Sequence, residues 1–159
     1  MNRKKLIVAA IGLAIFAAAV FWITNASNKD VIEHDYTFTG EDTKWKATFH
    51  IKGQDVFYEK DNVIQHESSY DTTFKLIYKG DLSDLSELNE LQYGYKTSLT
   101  NTKSTKHFDT PPDRKVFVEN GTGSGNIIRP DDSVIVTVQW DAQIEKFTLT
   151  PAEDRTDSD

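Results

Sequence analysis

Histidines and acidic pairs are the residues of this sequence whose types could hold a metal ion. The acidic pairs at positions 41–42 and 131–132 lack the alternating carboxylate spacing of a calcium loop. The histidines are widely separated, and no two have the spacing of zinc ligands: His34, His50, His66 and His107. The sequence therefore predicts no metal site and no cofactor.

A glycine-rich stretch at residues 121–126 (GTGSGN) is the other candidate for chemistry. A phosphate-binding loop needs a Gly-Lys-Ser/Thr ending, and a nucleophile elbow needs glycines two residues either side of the serine; neither pattern is met. The stretch predicts a flexible loop between strands. Because the chain has no cysteine and no recognisable nucleophile–base pair, we expect no catalytic residues and a protein that is not an enzyme.

The strongest single signal is an uncharged run of 19 residues, 6–24 (LIVAAIGLAIFAAAVFWIT). As a helix it would span about 28 Å, close to the hydrocarbon thickness of a bilayer. It is longer than the apolar core of a cleaved signal, and Phe21 and Trp22 stand where interfacial aromatics anchor a span. The run predicts a transmembrane helix or uncleaved signal-anchor that binds the lipid bilayer.

The basic residues 1–5 are expected to stay cytoplasmic, so the remainder would be extracytoplasmic in a single-pass membrane protein. Cleavage after Ala26, which would release a secreted soluble domain, is the alternative. Residues 1–27 hold three cations and no acids, whereas the rest holds 15 cations and 25 acids. An acidic exported part argues against binding to nucleic acid.

Alternating apolar residues dominate residues 35–150 and predict one extracytoplasmic all-β domain. Trp45, Phe49 and Ile51 lie on one such face and Trp140 on another, so both tryptophans are expected in the core. Turn residues separate about seven short strands, which favours an immunoglobulin-like antiparallel β-sandwich preceded by the transmembrane helix. Residues 25–34 are expected to form a linker, and residues 151–159 a disordered acidic tail.

One segment departs from the alternation, because leucines recur every third residue through residues 82–91. It predicts either a short helix or a connection made of turns. Leu85 and Leu88 in this segment, with Tyr93 and Tyr95 after it, have two interpretations. They either pack inward and close one end of the core, or they form an exposed apolar and aromatic surface for a partner.

Three stretches carry a resemblance: GEDTKWKATFHIKG, TFKLIYKGDL and GSGNIIRPDDSVIVTVQWDAQIEKFTL. Together with the basic start and the apolar run, they resemble small membrane-anchored envelope proteins of Gram-positive bacilli with an immunoglobulin-like β-ectodomain. The resemblance implies fold and location and carries over no functional residue. We therefore expect a non-catalytic, membrane-anchored extracytoplasmic binding domain of the cell envelope, with an envelope protein as its partner. An enzyme whose residues meet only in three dimensions is the remaining alternative.

Overall fold

A computed structural model describes residues 29–152. It confirms the all-β, antiparallel class, with eight strands where about seven were expected. The strands are β1 (Lys29–Glu41), β2 (Trp45–Lys60), β3 (Val63–Tyr78), β4 (Glu90–Lys96), β5 (Asn101–His107), β6 (Val116–Ser124), β7 (Val134–Trp140) and β8 (Gln143–Pro151). They form one sheet in the order β5-β4-β7-β8-β1-β2-β3-β6. No helix in residues 29–152 is long and apolar enough to cross a membrane, and the expected membrane segment 6–24 lies outside the described residues.

The chain divides into two compact units. Within the described residues, the smaller unit comprises residues 29–31 and Val56–His66; we call it the hairpin arm. Its two strand ends are joined by Asp61 and Asn62, which both have positive φ, at 54° and 60°. That conformation suits a two-residue hairpin turn, and Asn and Asp tolerate it best after glycine. The larger unit comprises residues 32–55 and 67–152 and is called the body.

The core of the body follows the alternation in the sequence. Trp45, Ala47, Phe49 and Ile51 of β2 are buried, as are the alternate residues of β3 and β7. Both tryptophans lie in this core, as expected: their rings meet edge to face at 5.5 Å, and the ring of Tyr78 lies within 5.4 Å of each. Burial on one face of each strand and solvent on the other accounts for the period of two.

Three expected boundaries need correction. β1 begins at Lys29, inside the expected linker 25–34, because its first residues are exposed on both faces and give no alternation to detect. Pro151 belongs to β8 and the Ala152 N–H donates to the Thr37 carbonyl at 2.7 Å, so the tail begins later than residue 151. The glycine-rich stretch is not a free loop at its start, because β6 continues to Ser124.

The leucine segment contains a single turn of 3-10 helix, Leu82–Leu85. Asp81 is its N-cap, and the Asp81 N–H donates to the Asp84 carboxylate at 3.1 Å. The remainder, up to β4, is irregular chain. The segment 82–91 thus combines a short helix, one of the two expected structures, with a connection made of turns, the other.

Candidate functional site

The four residues that could have formed a partner surface lie in the core of the body. Leu85, Leu88, Tyr93 and Tyr95 are each at most 9% exposed. The ring of Tyr95 lies 4.7 Å from that of Phe49. These side chains pack inward, the first of the two interpretations, because β4 is an inner strand of the sheet whose Tyr93 and Tyr95 face the core. The second interpretation is therefore corrected: side chains this deeply buried cannot form an exposed surface for a partner.

A single carboxylate joins the two edge strands, β5 and β6. Glu119 Oε1 on β6 accepts hydrogen bonds from Ser104 Oγ at 2.9 Å and Lys106 Nζ at 3.0 Å, both on β5. Tyr93 Oη on β4 donates to the same oxygen at 2.6 Å. Neighbouring strands of the sheet are joined by backbone hydrogen bonds, whereas the two edge strands, β5 and β6, are joined here by side chains. We call this junction the seam.

The seam residues shift each other's protonation. Burial raises the pKa of Tyr93, and its hydrogen bond to the Glu119 carboxylate raises it further. Burial also raises the pKa of Glu119, but hydrogen bonds from Tyr93, Lys106 and Ser104 outweigh it, so its pKa lies below the ordinary value. The seam therefore carries an ionised carboxylate and a neutral phenol at neutral pH.

A cavity of about 230 Å³ lies beside the seam and is lined by Glu119. Aromatic and aliphatic side chains form its apolar part: Phe49, Ile51, Tyr70, Tyr95, Leu99 and Ile128. Hydroxyl and amide side chains form much of the rest: Thr72, Thr97, Thr100, Thr102, Asn120 and Asn126. Among the described residues that line it, Glu119 is the one that carries a charge. Apolar walls with a few convergent polar groups are typical of a binding site for a small ligand or a single side chain.

Two glycines of β6 alternate along the strand, and one of them, Gly121, lines the cavity. Gly121 is paired with Thr72, and Gly123 with Tyr70, across the β3–β6 ladder. A Cβ at Gly121 would lie 2.9 Å from Thr72 Oγ1, and one at Gly123 would lie 2.4 Å from the Tyr70 ring. A larger side chain at either position would move these neighbours or occupy the cavity. The glycine-rich stretch therefore shapes a site, whereas its sequence was interpreted as a flexible loop.

A second polar cluster in the body surrounds the carboxylate of Asp55. His34 Nε2 donates to Asp55 Oδ2 at 2.8 Å, Arg129 Nη2 donates to the same oxygen at 3.1 Å, and Ser68 Oγ donates to Oδ1. The Arg129 Nη1 atom lies within 3.0 Å of both His34 ring nitrogens. His34 and Asp55 are each 4% exposed. A buried carboxylate with three donors is well satisfied, so the cluster ties Arg129 to strands β1, β2 and β3.

This cluster has the residue types of a serine hydrolase triad without its connections. Ser68 donates to the carboxylate, whereas a nucleophilic serine must donate to an imidazole that accepts its proton. The other ring nitrogen, Nδ1, lies 2.9 Å from Tyr36 Oη. Among the described residues, no three His, Asp or Glu side chains are grouped so that they could hold a metal ion.

Sequence reasoning missed both clusters. Asp55 lies 21 residues from His34 and 74 from Arg129, and no local pattern links such positions. One signal was present for the cavity: Gly121 and Gly123 alternate on one face of a strand, and small residues on a face that should be buried leave space.

Comparison of the chain with protein-family models, curated proteins and solved structures gives no match. Fold and site together define an antiparallel β-domain with a side-chain seam and an adjoining cavity.

Proposed function

We propose that the chain is a non-catalytic binding domain of the cell envelope, anchored in the membrane by residues 6–24 and binding an envelope protein. The observation that carries this proposal is the cavity beside the seam. It is a concave site in the body, and it combines apolar walls with hydroxyl and amide groups.

The chemistry of the cavity favours an uncharged group of the partner. Glu119 supplies the charge in the described lining, and three donors already use its Oε1 atom. An incoming cation would compete with Lys106, and an incoming anion would meet the carboxylate without a cation to offset it. A hydroxyl- or amide-bearing side chain could exchange hydrogen bonds with the threonines and asparagines at no such cost.

The anchor is supported by the sequence: a basic start, an uncharged run of 19 residues and aromatics near its outer end. The non-catalytic part of the proposal is supported by the hydrogen bonds of the Asp55 cluster. Its serine donates to a carboxylate, and both nitrogens of its imidazole already have partners. We further propose that the body is an immunoglobulin-like sandwich in which β2 and β3 face β4 and β7. Ring pairs such as Phe74–Tyr93 and Trp45–Trp140 support two facing layers.

Site-specific photo-crosslinking in intact cells tests the binding role. A benzophenone amino acid at Leu99, which lines the cavity and is 47% exposed, should yield a discrete adduct with one envelope protein. The matched control is the same probe at Leu82, which is 39% exposed and lies outside the cavity lining. The adduct at Leu99 should disappear when Gly121→Val fills the cavity, provided that this variant keeps its melting temperature. Equal adducts from both positions, or none from Leu99, would overturn the proposal.

A further inference from the structure

The hairpin arm exposes large apolar side chains, two of them directly after the turn at its tip. Val31 is 50% exposed, Val63 55% and Ile64 75%, and Ile64 is the most exposed large apolar residue described. Val63 and Ile64 are consecutive in β3, so their side chains point to opposite faces of the strand. Neither face of the tip is therefore covered by the described part of the chain.

Internal contacts give the arm a defined shape. The rings of Phe57 and His66 stack at 4.4 Å, and Lys29 Nζ lies 5.5 Å from the centre of the Tyr58 ring. A two-stranded hairpin is only marginally stable in water, and exposed apolar residues on both faces add an unfavourable hydration term. An apolar environment outside the described chain would remove that term.

The chain itself indicates which environment is near. The predicted membrane segment ends at Thr24, and β1 begins at Lys29, whose ammonium group contacts the arm's Tyr58. Five residue steps can reach at most roughly 18 Å, even when fully extended. The headgroup layer on each side of the hydrocarbon core is itself roughly 5–7 Å thick. Lys29 and the part of the arm that it contacts must therefore lie close to the surface of the membrane that anchors the chain.

The residue types of the arm match that location. Apolar tip residues, the aromatics Phe57 and Tyr58, and the long side chains of Lys29 and Lys60 are the types that populate a membrane interface. The arm has two lysines against three acidic residues, so attraction to anionic lipids does not drive it there.

We propose that the hairpin arm lies in the interfacial layer of the bilayer, with Val63 and Ile64 inserted below the headgroups. This proposal rests on the proposed membrane anchor. It makes the arm a second point of attachment to the membrane. Insertion of this kind depends on apolar burial and is insensitive to salt.

The absence of cysteine from the chain makes the test direct, because one introduced cysteine can be labelled without background. The full-length Ile64→Cys variant carries an environment-sensitive fluorophore and is reconstituted into phosphatidylcholine vesicles containing a lipid with a shallow spin-label quencher. The matched control is Ile144→Cys, at a position that is 66% exposed and follows a turn with a positive-φ aspartate, Asp141. We expect roughly threefold or stronger quenching at position 64 relative to position 144, at both about 0.1 M and about 1 M salt.

Two readouts separate failure of the arm from failure of the anchor. Co-sedimentation with vesicles after a high-salt wash reports the anchor; a chain that stays in the supernatant refutes the anchor and the arm with it. A chain that sediments but shows equal quenching at positions 64 and 144 refutes the arm alone. Shielding of position 64 that rises with protein concentration, with disulfide-linked dimers of the unlabelled Ile64→Cys variant, would show that a second copy covers the arm and would also overturn the proposal.

Discussion

Replacing Trp45 by alanine tests the core most severely. Trp45 has no exposed surface, and its ring lies 5.0 Å from Tyr78, 5.5 Å from Trp140 and 6.3 Å from Phe117. Burial of roughly 200 Å² at about 25 cal/mol/Å² contributes about 5 kcal/mol. The ring pairs add about 0.5–1.5 kcal/mol each. One contribution of Trp45 is destabilising: its indole N–H has no hydrogen-bond partner among the described residues, which costs about 1–3 kcal/mol.

These contributions sum to about 4–8 kcal/mol, and substitutions of buried tryptophan by alanine usually cost about 3–5 kcal/mol, so we expect a net loss of about 4–5 kcal/mol for Trp45→Ala. At roughly 4 °C per kcal/mol for a domain of this size, the melting temperature should fall by about 15–20 °C. Circular dichroism melts and urea titrations of the full-length chain measure it. Trp45→Phe keeps the ring contacts and removes the unpaired N–H, so it should cost only about 1–2 kcal/mol. A fall below about 5 °C for the alanine variant, or equal losses for both variants, would refute this account of the core.

Three further predictions concern polar groups and backbone packing. Glu119→Gln should destabilise the chain at pH 7. Because the pKa of Glu119 in the folded state lies below its ordinary value of 4.5, the ionised carboxylate contributes its full stabilisation above pH 4.5, and this stabilisation is lost as the pH falls further. Urea titrations should therefore give a smaller difference in unfolding free energy between the original chain and the variant at pH 3 than at pH 7. Arg129→Met should cost about 1–3 kcal/mol of stability because it removes a hydrogen-bond donor from buried Asp55. Asp55→Asn should cost more, since it weakens the hydrogen bonds from His34, Arg129 and Ser68 together. An unchanged melting temperature for Asp55→Asn would contradict the stabilising role of this cluster. Gly94→Ala would place a Cβ 2.1 Å from the Thr102 carbonyl oxygen, so we expect a loss above about 2 kcal/mol, and a neutral substitution would show that β4 and β5 are not so close.

The sequence predicted those parts of the fold that follow from local alternation. Trp45, Phe49 and Trp140 stand on apolar faces, and hydrophobic burial places such faces in a core whatever the topology. The start of β1 was missed because its exposed residues owe their conformation to pairing in the sheet, which leaves no apolar period. Tyr93 and Tyr95 were correctly placed on one strand face, but the choice between core and surface depends on whether β4 is an inner strand, which is a property of the whole sheet.

The candidate site was harder to predict from the sequence than the fold, for the same reason. Glu119, Ser104 and Tyr93 come from three strands, and only the closure of the body's sheet brings their polar atoms together. Asp55 and Arg129 meet across 74 residues of sequence. Contacts between residues this far apart leave no pattern in a single sequence. The alternating glycines 121 and 123 do form a pattern, but it was attributed to a loop.

The position of β8 has a consequence for how the chain acquires its structure. β8 lies between β7 and β1, so it joins the set β4, β5 and β7 to the set β1, β2, β3 and β6. A chain leaves the ribosome from its N-terminus, so this joining strand is made after the other seven described strands. Until Gln143–Pro151 is available, the two sets have no backbone connection through it, and each exposes an edge. Joining of the two sets must therefore wait until β8 is available, and the slow step should be the docking of two preformed half-sheets onto this strand.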